Sequence, residues 1–305
     1  MSRTTADLAL TDVELAIPEA QPGIVGDLMT LTKARLSLLV VITTFVGFCL
    51  ASGPHLHWGR LLNAVLGTSL AAAAAAVLNQ VAEAHVDRLM ERTRHRPIPT
   101  GRISRGRARM LGIALAIIGP LYLLVTVNAI SAALAASTIA IYIWLYTPLK
   151  RKTPLCTLVG AVAGAIPPVI GWVAARPSLD TGAWVLFGVL FMWQMPHFLA
   201  IAWMYRDEYA QAGFVMLRRD DRTGMATALD SLLCTLALAT FTVIPAVSGL
   251  NHSVYLSGAM SLDFALFFLA ILFLLERDRG SARRLFFGSI LYLPLILALM
   301  VLTKA

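Results

Sequence analysis

Three polar side chains stand out in an otherwise apolar sequence: Asn79, Glu83 and Asp87, each four residues from the next. On an α-helix a step of four residues advances by about 40°, so the three form one stripe about two turns long. A second acidic group, Asp207-Glu208, stands before Tyr209 and follows an apolar run carrying Trp193-Gln194 and Pro196-His197. Hard oxygen ligands close to dense Arg and Lys suit Mg²⁺, which binds through one or two carboxylates and fills its shell with water and substrate phosphates. Two such clusters facing each other would clamp Mg²⁺ against a diphosphate, with Lys and Arg taking the remaining phosphate charge. A lone Asp at the end of an apolar run is usually just solvated, and a basic loop often reports only orientation. Asn79 and Glu83 are harder to dismiss, because polar groups within a membrane segment are costly and by default mark a site.

The elements that must position these residues are membrane helices. The chain has 305 residues, of which 58% are hydrophobic and only 14% charged, with a mean hydropathy of +0.75. A soluble domain is about 25% charged, so a water-facing surface of this size lacks its charge. Cys49, Cys156 and Cys234 lie in apolar runs and cannot all pair, which excludes a disulfide scaffold. A spanning helix needs about 20 mainly apolar residues. Nine stretches qualify: 35–52, 61–84, 108–126, 129–147, 155–174, 181–204, 227–248, 253–275 and 285–303. Residues 1–28, with Asp7, Asp12, Glu14, Glu19, Pro18 and Pro22, read as a disordered cytoplasmic tail, and 29–305 as one nine-span domain. All but Arg60, Arg176 and Lys304 of the 25 Lys and Arg then fall on one side. The positive-inside rule makes that side cytoplasmic, with the N-terminus inside and the C-terminus outside. The formal charge of +8 is therefore a membrane-orientation signal and not a nucleic-acid footprint.

Small residues, including Ala71–Ala76, Gly160 and Gly164, allow close helix packing. Pro167-Pro168 predicts a helix broken in mid-membrane, tolerated where the freed carbonyls face protein or a wet cavity. Asp180 and Asp263 are placed on the outer side, with no charged residue expected in the middle of spans 3, 4, 7, 8 or 9.

The stretch Asn79-Gln80-x-x-Glu83-x-x-x-Asp87-x-x-Met90-x-Arg92-Thr93-x-x-Arg96-Pro97 resembles the first motif of the UbiA superfamily of intramembrane prenyltransferases. More narrowly it resembles the haem O synthase branch. Leu31-Thr32-Lys33, the run Tyr146–Thr153, Ala163–Trp172, Trp193-Gln194-Met195-Pro196-His197-Phe198 and Arg206-Asp207-Glu208-Tyr209 extend the match. Tyr209 is the specific mark, since quinone-type relatives usually carry a second Asp-x-x-x-Asp there. The sequence departs where many bacterial relatives have Asp-Arg-Asp-x-Asp and this chain has Glu83-Ala84-His85-Val86-Asp87. Ala34 replaces a common Pro, and Cys156 an Asn.

The resemblance implies a UbiA-type bundle in a bacterial inner membrane, its active site facing the cytoplasm. It implies farnesyl transfer from farnesyl diphosphate to a vinyl group of haem B, with water added, giving haem O. Mg²⁺ would be held by Asn79, Glu83, Asp87 and Asp207, and the diphosphate by Lys33, Arg92, Arg96, Lys150, Arg151 and Arg206. Tyr209 suits a hydrogen bond to the diphosphate or its ligands, and equally an aromatic belt. His197, with Trp193 and Gln194, would meet the haem, although a buried His near a broken helix also suits a backbone hydrogen bond. A haem A synthase or a terminal-oxidase assembly system would be the downstream partner. A quinone-type prenyl acceptor, a proton-coupled transporter and a haem carrier without catalysis are the competing readings. The Trp-Gln-x-Pro-His-Phe run and Tyr209 favour haem over the first. Acids on one side only disfavour the second, and a carrier leaves Asn79, Glu83 and Asp87 without a task.

Overall fold

In lipid every backbone N–H and C=O must be satisfied within the chain, and helices do this segment by segment. The computed structural model describes residues 23–305, which are helical with short connections. A short α1 (Ile24–Leu31) leads into α2 (Ala34–Ala51), the long α3 (Trp58–Asp87) and α4 (Arg105–Thr126). α5 (Ala129–Ala140) runs through a π-helical turn, Ile141–Tyr146, into α6 (Thr147–Leu149). Then come α7 (Cys156–Ala175), α8 (Thr181–Met204), the short α9 (Arg206–Gln211), α10 (Met225–Val247), α11 (Ser253–Glu276) and α12 (Arg279–Leu302).

Every apolar run read from the sequence lies on one of these helices. Eight segments among the described residues are long and apolar enough to cross a membrane: α3, α4, Ala129–Leu149, α7, α8, α10, α11 and α12. α2 adds a shorter apolar stretch, Ser37–Ala51. Most of the expected tail lies outside the described residues, but its last residues belong to α1, where Asp27 is buried against Arg102 at 2.9 Å. Ser104, Asn128, Asp180 and Asp278 start α4, α5, α8 and α12, each side chain accepting a first-turn N–H.

Small residues set the packing. α3 lies along α4, α2 along α7, and α8 is enclosed by α7, α10 and α12. A Cβ on Gly47 would stand 1.9 Å from the Pro168 carbonyl oxygen, and one on Gly171 1.9 Å from that of Thr44. The backbones of α2 and α7 therefore touch directly. This contact explains a correction to the sequence reading: Pro167-Pro168 does not break its helix, and α7 is continuous from Cys156 to Ala175. Both prolines are buried, and Pro168 lies directly against Gly47 of α2, so close packing supports the helix where the N–H donors are missing. A second correction concerns Asp263, which is the eleventh residue of the 24 in α11 and so lies mid-helix, not at an outer end. At the end of the chain, Lys304 Nζ donates to the carbonyls of Cys49 (3.0 Å) and Ser52, tying the terminus to the end of α2.

Candidate active site

The last two turns of α3 carry the polar stripe into the protein interior: Asn79 and Asp87 are 0% exposed and Glu83 7%. Each polar group there has a cation from another element. Lys33 Nζ donates to Asn79 Oδ1 at 3.3 Å. Lys150 Nζ donates to Glu83 Oε1 at 2.8 Å. Arg96 Nη1 donates to both oxygens of Asp87 at 2.9 Å.

Local backbone features deliver these cations. Lys33 sits between α1 and α2 with φ 51° and ψ 49°, a left-handed conformation rare for a residue with a Cβ. The π-helical turn before Pro148 carries an extra residue where proline has no N–H to continue the ladder. It brings Thr147 to the stripe, where its hydroxyl accepts from Asn79 Nδ2 at 3.1 Å and donates to Tyr142 O at 2.7 Å. One turn on, Lys150 passes over the Tyr146 ring, 4.5 Å from its centroid. Burial pulls the Lys150 ammonium down, but Tyr146 and Glu83 outweigh it and leave it above its ordinary value. Arg96 comes from the tight turns after α3, which Thr93 braces by donating to Asp87 O at 2.9 Å. Gln80, beside the stripe, donates to the carbonyls of Thr30 (3.1 Å) and Leu31 (2.7 Å) and so fixes the end of α1.

The second acidic segment joins the first through Arg92 and not through Asp207. The Arg92 N–H donates to Glu208 Oε1 and its Nη2 to the Tyr209 hydroxyl, each at 3.2 Å. The Asp207 side chain is 85% exposed and has Arg206 3.8 Å away. Arg206 itself lies over the Trp203 ring, 4.3 Å from its centroid. Trp203, Arg206, Asp207, Tyr209, Phe214 and Arg218 line a cleft of about 430 Å³ beside the stripe segment. Arg151 is exposed, and His85 is exposed and off the stripe.

The residues expected from the sequence to meet haem divide between two faces of α8. Trp193 Nε1 donates to Ser289 O at 2.7 Å, and His197 Nδ1 lies 2.8 Å from Ser289 Oγ, both on α12. The two rings stack at 5.1 Å. Gln194 faces α7 instead, donating to Ala161 O at 3.2 Å over Gly164. Thr147, Thr93 and Gln80 contact or brace the stripe segment without having been given a role from the sequence, and Glu208, read there only as part of the second acidic group, meets the Arg92 N–H. All four stood inside the quoted motifs, but the contacts of the two threonines depend on turns that no spacing reveals.

The profile of the UbiA prenyltransferase family matches residues 40–292, most of the chain and both acidic segments. The chain belongs to the UbiA prenyltransferase family. Among similar members is a protoheme IX farnesyltransferase from Solibacter usitatus, 41% identical over 287 residues, covering 91% of this chain and 98% of that one. Another, from Opitutus terrae, is 45% identical over 92% of this chain and 95% of its own. A human mitochondrial protein of the same name is 40% identical over 92% of this chain and 62% of its own. Among solved structures of the family fold, a UbiA homologue from Archaeoglobus fulgidus bound to DMAPP and Mg²⁺ superposes with a TM-score of 0.63. It is 13% identical and covers 90% of this chain and 99% of that one. A digeranylgeranylglyceryl phosphate synthase reaches a TM-score of 0.78 at 15% identity, over 92% of this chain and 98% of that one.

Proposed function

We propose that this family member transfers a farnesyl group from farnesyl diphosphate to a vinyl group of haem B, with addition of water, to give haem O. The observation that carries the reading is the buried stripe Asn79-Glu83-Asp87 with Lys33, Lys150 and Arg96 already fixed on it. Two carboxylates and an amide oxygen fit Mg²⁺, which takes one or two carboxylates and leaves the rest of its shell to water and phosphate. Asn79, Glu83 and Asp87 would hold the ion, which when bound neutralises the diphosphate as it leaves.

The chain's own residues supply the rest. When the farnesyl C1–O bond breaks, the electron pair departs with the diphosphate and leaves a delocalised allylic cation. Lys33, Lys150, Arg96 and Arg92 meet the developing charge as preorganised donors, so little reorganisation is needed at the moment of reaction. The vinyl π electrons then form the new C–C bond, and water adds to the resulting cation with loss of one proton. Apolar helix walls exclude other water that would quench the allylic cation. Trp193, Gln194 and His197 on α8 are the acceptor-side residues, with Arg206, Asp207 and Tyr209 at the rim of the adjoining cleft. We place the stripe on the cytoplasmic side of a bacterial inner membrane with α2 as a ninth span, because Arg88–Arg109, Lys150–Lys152 and Arg277–Arg284 then all lie inside. Diphosphate release with haem B, compared with release using a quinone precursor, tests the acceptor. The reading requires release with haem and none with the quinone precursor; the reverse would move the acceptor to the quinone class.

A further inference from the structure

The mid-helix position of Asp263 is unexplained by diphosphate chemistry. It lies about 15 Å along α11 from the first residue, near the centre of a membrane-crossing length, and is 8% exposed. Its two oxygens meet two other helices. Tyr292 of α12 donates its hydroxyl to Oδ1 at 2.6 Å, and Thr242 Oγ1 of α10 lies 2.6 Å from Oδ2. Among the described residues no Lys, Arg or His pairs with Asp263; the titratable groups around it are the phenols of Tyr292 and of Tyr255 on its own helix.

A carboxylate here would be a lone charge in hydrocarbon, a cost of several kcal/mol or more. The hydrogen count offers a neutral alternative. Thr242 has one hydroxyl hydrogen and two oxygens in reach, Asp263 Oδ2 and Ala239 O, the latter at 3.0 Å. If Oδ2 carries a proton and donates it to Thr242 Oγ1, Thr242 is free to donate to Ala239 O while Oδ1 accepts from Tyr292. Each hydroxyl then has one acceptor and no charge remains.

We propose that Asp263 is an un-ionised carboxylic acid that locks α10, α11 and α12 together and acts as a positioning residue for the acceptor side of the site. Tyr292, which it holds, is three residues from Ser289 on α12, and Ser289 in turn holds Trp193 and His197. The protonated state and the three-helix lock stand on geometry alone; the effect on acceptor binding rests on the haem reading above.

The test is difference infrared spectroscopy on the full-length protein in detergent or lipid, comparing wild type with Asp263→Asn. Asn can donate from its amide to Thr242 and accept from Tyr292, so it copies the neutral acid and not the carboxylate. The expected result is a protonated-carboxyl C=O band in wild type, unchanged from mildly acidic to mildly alkaline buffer and absent in Asp263→Asn. Tyr292→Phe should keep that band and move it to higher frequency. Asp263→Asn should retain the wild-type Tm and turnover, whereas Asp263→Leu lowers the Tm by about 5–10 °C and raises KM for the acceptor more than it lowers kcat. No carboxyl band, or an Asp263→Asn variant as damaged as Asp263→Leu, overturns the proposal even if Asp263→Leu does not fold. If the spectra hold but KM for haem does not move, the lock stands and the acceptor-side assignment fails.

Discussion

Arg96 holds Asp87 with one nitrogen, Nη1, placed 2.9 Å from each carboxylate oxygen. The acid at the end of the stripe is thus pre-aimed before any substrate arrives, and its counter-ion is positioned to serve a phosphate as well. Asp87→Asn should lower turnover about 100-fold or more, the scale for removing a preorganised electrostatic group, while helix content is unchanged. Arg96→Lys keeps the charge but shortens the side chain and loses the remaining guanidinium donors that would meet a phosphate, so its activity should fall between wild type and Asp87→Asn. Steady-state diphosphate release and circular dichroism on the three proteins check both statements.

Lys150 and Glu83 form a buried pair at 2.8 Å, with side chains 12% and 9% exposed. Removing one partner strands a buried charge, at a cost of about 3–5 kcal/mol. Lys150→Met alone should therefore destabilise the protein more than Lys150→Met with Glu83→Gln, although both lose diphosphate affinity. Thermal unfolding in detergent across the double-mutant cycle reads the coupling.

The contact between α2 and α7 admits no side chain at Gly47 or Gly171, where a Cβ would lie 1.9 Å from a backbone oxygen. Gly171→Ala should cost several kcal/mol by forcing the two helices apart. Gly53→Ala, with nothing within 4 Å of its Cβ, is the matched control and should be neutral. Expression yield and Tm distinguish them.

Asp221 anchors the start of α10, its oxygens accepting from the Thr227 N–H at 2.7 Å, the Thr227 hydroxyl at 2.6 Å and the Ala226 N–H at 3.2 Å. Burial pushes its carboxyl up, but these hydrogen bonds outweigh burial and hold it below its ordinary value. Because the folded value is depressed, the stabilisation is full above the ordinary aspartate range and is lost as pH falls through the folded value. The Tm difference between wild type and Asp221→Asn should be largest near neutral pH and shrink on acidification.

The helices were legible because lipid imposes a length and an apolar composition, and the α3 stripe because a step of four residues fixes a face. What holds the stripe was not. Lys33 reaches Asn79 through a left-handed backbone, and Lys150 reaches Glu83 past a π-helical turn, and neither has a hydropathy signature. Trp193 and His197 share a face by spacing, yet only packing shows that the face meets α12, since α8 is apolar all round. Asp263 was misplaced because a single acid barely alters the hydropathy of a span, and its partners Thr242 and Tyr292 are distant in sequence. Pro167-Pro168 misled because the rule for proline describes an isolated helix, whereas α7 is pressed against α2 at Pro168.

The most direct test is the mass of haem recovered after the purified protein is incubated with haem B, farnesyl diphosphate and Mg²⁺. The account predicts a haem heavier by one farnesyl group and one hydroxyl group, a product lost with EDTA and absent with Asp87→Asn. Unmodified haem under these conditions, or equal product from Asp87→Asn, would contradict it.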